Sequence, residues 1–168
     1  MRPHSMRADR VVAAGTWDAT REVDRVLIDF DRRHRRRILL RTESGKEVLI
    51  DLAQAVRLRE GDGLALEDGT FVRVCARPEK LLEIHAHDDG DLVRIAWHLG
   101  NRHLPVQLKG DRILIRADHV IEEMVIGLGG HVETIEAPFD PEAGAYAAGG
   151  NHHHHHDDDD HVHHHPHE

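Results

Sequence analysis

The hydrophobic pattern changes at Pro78, and this change constrains the fold more than any other feature of the 168-residue chain. Before Pro78, apolar residues alternate in short runs between turn signals, a pattern typical of half-buried strands. Residues 1–77 are therefore predicted to form an all-β domain. Residues 1–20 show no clear pattern, and the basic run Arg32–Arg37 is predicted to be a solvated turn. The strand runs are 26–30, 38–40, 48–52, 64–66 and 71–74.

After Pro78, strand patterns alternate with helical ones. Apolar residues recur at helical spacing over 88–99 and again after Asp118, which is a typical N-cap residue. Strand patterns occupy 81–84, 106–108, 113–115 and 132–135. The order βαββαβ predicts a ferredoxin-like domain over 78–147, with two helices on one face of a four-stranded antiparallel sheet. The fold class is therefore predicted to be α+β.

Ten of the 18 histidines lie in the last eighteen residues, together with Asp157–Asp160. A segment of this composition cannot form a core, so residues 148–168 are predicted to be a disordered, flexible His-rich tail beyond Gly149-Gly150. Imidazole suits nickel, copper, zinc and cobalt, and a mobile chain binds them loosely and exchangeably. An expression tag is the alternative, although the run matches no simple affinity tag. The predicted tail ligands are His152, His153, His154, His155, His156, His161, His163, His164, His165 and His167.

Two histidines outside the tail are candidate metal ligands. His103 follows the helix stop Gly100-Asn101, which places it just past the helix and leaves it free to point outward. His119 lies opposite the apolar face of the second helix and is therefore a surface residue. The alternative for each is a solvated polar side chain. A role for His98, or for the weak His-x-His pair His85 and His87, is left open.

Several function classes are disfavoured. The chain has no G-x-S-x-G, H-E-x-x-H or phosphate-binding glycine motif, so a non-enzyme is predicted and a metal-dependent hydrolase is the least favoured alternative. No apolar run is long enough to cross a bilayer, and the single Cys75 favours a reducing compartment, so a soluble cytoplasmic protein without membrane contact is expected. The arginine run contains no aromatic residue, which argues against nucleic-acid binding.

Three motifs in order resemble the UreE family of urease accessory proteins. They are 98–105 with its Gly-Asn-Arg-His core, Asp118-His119-Val120, and the segment 138–146, followed by the His-rich tail. The resemblance implies a homodimeric nickel metallochaperone with an N-terminal peptide-binding-like domain and a ferredoxin-like metal-binding domain.

In that family the histidine corresponding to His103 lies at the dimer interface, so that two copies hold one Ni²⁺. The resemblance also makes His119 a peripheral ligand, and it makes the tail histidines an extension of these sites. The implied partners are a second copy of the chain, the GTPase UreG, and the urease apoprotein with its accessory complex. Zn²⁺ and Cu²⁺ suit the same imidazoles, so the choice of nickel depends on the resemblance alone. The alternative function is metal storage or buffering, mainly through the tail.

Overall fold

The computed structural model describes residues 6–144, which form two β-sheets and two α-helices. The chain is α+β and mostly strand. The first sheet contains β1 (Met6–Val12), β2 (Glu22–Ile28), β3 (His34–Arg41), β4 (Glu47–Arg57), β5 (Gly63–Leu66) and β6 (Phe71–Ala76). The second part contains β7 (Pro78–His85), α1 (Asp89–Asn101), β8 (Gln107–Leu108), β9 (Ile113–Arg116), α2 (His119–Gly127) and β10 (His131–Pro138).

The N-terminal sheet is mixed, with the strand order β2-β6-β5-β1-β4-β3. The β5–β6 and β3–β4 pairs are antiparallel, whereas β1 runs parallel to β4 and β2 runs parallel to β6. The predicted strand runs 64–66 and 71–74 form a hairpin around Asp68-Gly69: Gly69 has φ +83°, and its N–H donates to the carbonyl of Leu66 at 3.1 Å. The alternating apolar side chains of the strands form one buried cluster that includes Val26, Ile50 and Val74.

Strand β1 lies in the segment where the sequence showed no pattern. Of its seven residues only Ala8 is buried, so it lacks the apolar alternation that identifies a strand. It is held instead by backbone pairing on both sides, to β4 and to β5, with a register shift between Ala8 and Arg10. Position inside the sheet, and not side-chain pattern, makes this segment a strand.

The prediction of a solvated turn over Arg32–Arg37 is wrong in two respects. Residues His34 to Arg37 begin β3 and pair with the far end of β4, which continues to Arg57. Arg33 is 1% exposed and therefore buried. The remaining arginines of the run are solvated, as expected: Arg32 precedes β3, and Arg35, Arg36 and Arg37 lie in the exposed first half of this edge strand.

The second part has the predicted element order βαββαβ. Its sheet has the order β10-β7-β9-β8, and all neighbouring strands are antiparallel. Both helices pack on one face of this sheet, where Ile84 and Ile113 meet Ile95 of α1 and Val125 of α2 in a buried cluster. Asp118 caps α2 as predicted: its carboxylate accepts hydrogen bonds from two backbone N–H groups of the first turn, at 2.9 and 3.2 Å.

The opposite face of this sheet packs against the N-terminal sheet. Leu81 and Leu114 form a buried cluster there with Phe30 and Phe139, whose rings meet edge to face at 5.3 Å between centroids. The buried guanidinium of Arg33 donates a hydrogen bond to the carbonyl oxygen of Phe139. The two sheets are therefore joined by an apolar cluster with a buried cation at its edge.

Within residues 6–144, neither helix has the length and apolar character that a membrane crossing requires.

Candidate metal-binding site

His103 lies immediately after α1, on an exposed loop, as the sequence predicted. Its backbone φ is +57°, and no other non-glycine residue in 6–144 has a positive φ. A left-handed conformation costs an L-residue about 1–2 kcal/mol, so a glycine would be the ordinary choice here. The conformation is held by a hydrogen bond from the His103 N–H to the Gly100 carbonyl, at 3.0 Å, which also closes the helix end.

His103 borders a surface groove of about 710 Å³ between the two sheets. Phe30, in the turn after β2, and His34, at the start of β3, line one side of the groove. The segment 141–144 lines the other side. Both histidines are exposed, so their ring nitrogens are accessible to an ion from solvent. No local pattern predicts that His34 and His103 share a groove, because 69 positions separate them.

The segment that leads toward the His-rich tail is anchored beside His103. The Glu142 N–H donates to the Val106 carbonyl at 2.8 Å, and the Asp140 N–H donates to the Gln107 side-chain oxygen at 3.1 Å. Arg59 forms an ion pair with Asp140 at 2.9 Å. These contacts hold the chain along the groove as far as Gly144, the last described residue.

His119 is the first residue of α2 and is exposed, in agreement with the sequence interpretation. No carboxylate, imidazole or thiol in residues 6–144 gathers with His103 or His119 into a three-ligand group. Within residues 6–144, neither histidine therefore belongs to a ready-made three-ligand site. The ten predicted tail ligands lie outside the described residues.

The structure shows a cluster of ligand-type side chains that the sequence analysis missed. Glu83 and His85 on β7 meet Glu133 on β10, and one ligand atom from each lies within 4.8 Å of the others. His85 is the last residue of β7, and its imidazole forms a hydrogen bond with the Glu83 carboxylate at 2.7 Å. His87 lies beyond the strand, in an exposed loop. The available signal was Glu-x-His on one strand and His-x-Glu on another.

Cys75 does not join a ligand group in residues 6–144. The side chain is half-buried on β6, and this burial raises the pKa of the thiol, which disfavours the thiolate that metals bind. This environment suits a small packing residue better than a metal ligand.

A six-stranded sheet is joined to a four-stranded sheet covered by two helices, and the second part carries exposed histidines; this architecture defines a two-part α+β protein with candidate metal ligands. Two family models match the chain: the N-terminal domain of the UreE urease accessory protein over residues 5–77, and the C-terminal domain of the same family over 79–167. The chain belongs to the UreE family of urease accessory proteins. Membership implies a role in urease maturation, as an accessory protein and not as the urease enzyme.

Relatives named urease accessory protein UreE are similar to most of the chain. One from Bradyrhizobium sp. strain ORS 278 is 56% identical over 142 residues, which is 84% of this chain and 67% of the relative. One from Chelativorans sp. strain BNC1 is 51% identical and covers 76% of this chain and 81% of its own length. One from Rhodobacter capsulatus is 46% identical and covers 85% and 88%.

Proposed function

We propose that the protein is a nickel metallochaperone that works as a homodimer, in which His103 of each subunit binds one shared Ni²⁺. One imidazole is a weak chelator, but a two-fold axis through the His103 loop brings two together and leaves coordination positions open for further ligands. The exposed, left-handed His103 supports this, because a residue kept in a strained conformation at the surface points to a role other than packing.

The observation that carries the proposal is the anchoring of the tail-bearing segment beside His103. Residues 141–144 line the same groove as His103. An extended chain spans at most about 3.6 Å per residue, so the eight steps from Gly144 keep His152 within roughly 29 Å of the groove. The tail histidines, from His152 to His167, can therefore collect ions and pass them to the His103 pair by ligand exchange.

We further propose that residues 1–77, 78–147 and 148–168 act as a peptide-binding-like domain, a ferredoxin-like metal-binding domain and a flexible collecting tail. The antiparallel order β10-β7-β9-β8 with both helices on one face supports the ferredoxin-like assignment. His119 acts as a peripheral ligand. In the cytoplasm, the recipient of the ion is the urease maturation complex, through the GTPase UreG.

Nickel titration by calorimetry, with the oligomeric state followed in parallel, tests this proposal. The proteins compared are the full chain, a chain ending at Gly150, and that shorter chain with His103→Ala. We expect the shorter chain to keep about one tight Ni²⁺ per dimer and His103→Ala to remove it. His87→Ala, which removes another exposed loop histidine, is the matched control and should change nothing.

The competing function, metal storage through the tail, predicts a different result. If all tight nickel binding is lost with the tail, and His103→Ala has no further effect, the shared interface site does not exist. Storage then becomes the better description of the protein.

A further inference from the structure

Strands β7 and β10 carry, on one face of the sheet, four side chains of the types that bind metals: two glutamates and two histidines. In the antiparallel register His85 is opposite His131, and Glu83 is opposite Glu133. Residues two apart on a strand share a face, and directly opposed residues share it too. Ile84 between them points to the helix-covered side, where it is buried. The four side chains are therefore on the face of the sheet away from the helices.

Three of these side chains are close enough to share an ion. The ligand atoms of Glu83, His85 and Glu133 lie within 4.8 Å of one another, and no other group of three in residues 6–144 meets this criterion. Zinc–ligand bonds of about 2.1 Å place tetrahedral ligand atoms roughly 3.4 Å apart, so the present separations, all within 4.8 Å, would need to change by at most about 1.4 Å. Two of the residues are half-buried and Glu133 is exposed, which leaves the site open to solvent.

The charges around the cluster favour a cation. Two carboxylates of like charge lie together, and only Glu83 has an ion-pair partner, Arg112, at 3.5 Å. Glu133 forms no ion pair within residues 6–144, so its charge is unbalanced there. Arg112 also contacts Asp111 at 3.0 Å and so has an alternative partner when a metal takes Glu83.

We propose that Glu83, His85 and Glu133 form a second divalent-metal site, independent of His103, that takes Zn²⁺ or an ion of similar ligand preference. One imidazole and two carboxylates are a ligand set that zinc accepts, with a fourth position open. His131 is placed by the strand register to occupy that position. The bound ion links β10 to β7, and thereby stabilises the strand that leads to Phe139 and the groove.

Zinc-dependent thermal unfolding of the full chain tests the site. An ion that binds only the folded protein stabilises it by RT ln(1 + c/Kd) at a free zinc concentration c, so the rise in melting temperature at a fixed zinc concentration reports the affinity of the folded state. The His-rich segment is the same in every variant, so differences between variants report the substituted positions. The variant is Glu133→Gln, and the control is Glu136→Gln, which changes an exposed residue of the same strand on its other face.

We expect Glu133→Gln to lower the apparent zinc affinity about tenfold or more, and Glu136→Gln to leave it unchanged. The side-chain NMR signal of His85 should shift with zinc in the control but not in Glu133→Gln. Equal zinc responses of the two variants, or an unmoved His85 signal in the control, would overturn the proposal. His103→Ala, tested in the same assay, should preserve the difference between the two variants, which separates this site from the nickel site.

Discussion

Replacing Arg33 by alanine should destabilise the protein far more than the same change at its neighbour Arg32. The two arginines are adjacent in one basic run, yet Arg33 is 1% exposed and Arg32 is exposed. The Arg33 guanidinium donates to the carbonyl of Phe139 at the junction of the two sheets. Burial lowers the pKa of Arg33, while the carboxylates of Asp140 and Glu79 oppose the shift, and a guanidinium remains charged in proteins.

The magnitude follows from what the substitution removes. Losing a hydrogen bond from a charged donor costs about 1.5–3 kcal/mol, and it leaves the Phe139 carbonyl without that partner. Two buried methylenes contribute about 1.6 kcal/mol more. The Nε of Arg33 is buried and has no hydrogen-bond partner within residues 6–144. Because the substitution also removes this unsatisfied group, it recovers about 1 kcal/mol of the loss. The net loss for Arg33→Ala is about 2–3.5 kcal/mol, against less than about 0.5 kcal/mol for Arg32→Ala.

Urea unfolding followed by circular dichroism, in buffer with a chelator, measures the difference. A loss of this size corresponds to a melting temperature lowered by roughly 4–14 °C for a chain of this length. Arg33→Met keeps the packed stem and should cost less than Arg33→Ala, which separates packing from hydrogen bonding. If Arg33→Ala and Arg32→Ala unfold at the same urea concentration, Arg33 does not join the two sheets.

Three further predictions concern strain, packing and pH. His103→Gly should raise the free energy of unfolding by about 1 kcal/mol in metal-free buffer, because glycine adopts φ +57° without strain, and should abolish the tight nickel site. Gly130→Ala should lower it by about 1–3 kcal/mol, since the new Cβ would lie 2.6 Å from a Val125 methyl. Burial acts to raise the pKa of Glu22, but hydrogen bonds from arginines, including Arg73 at 3.0 Å, lower it overall. Glu22→Gln should therefore reduce stability at neutral pH, and the difference should fade as the pH falls below the ordinary glutamate pKa.

Each of these has an outcome that contradicts it. A less stable His103→Gly protein would mean that the imidazole itself holds the loop. Gly127→Ala is the control for Gly130→Ala, because its new Cβ would meet nothing within 4 Å; equal losses in the two variants would exclude the clash with Val125 as the cause. For Glu22→Gln, a stability difference from the parent protein that stays constant from pH 7 to pH 3 would exclude ionisation of Glu22 as its cause.

Local chemistry allowed much of the fold to be predicted from the sequence. The βαββαβ order and the Asp118 cap depend on patterns within a few residues, and both agree with the structure. The place of His103 just past α1 also follows from a local signal, the Gly100-Asn101 helix stop. Its left-handed backbone does not, because histidine rarely adopts it and the conformation depends on how the helix end closes.

Tertiary structure alone decided which distant residues meet. Strand β1 exists because two neighbours supply its backbone partners, and Arg33 is buried because a second sheet covers it. The Glu83–Glu133 pairing depends on a strand register across 50 positions, in which a slip of one residue would turn each side chain to the other face. The alternation of residues along a strand indicates which side chains share a face, but the neighbouring strand and its register are set by the packing of the whole chain.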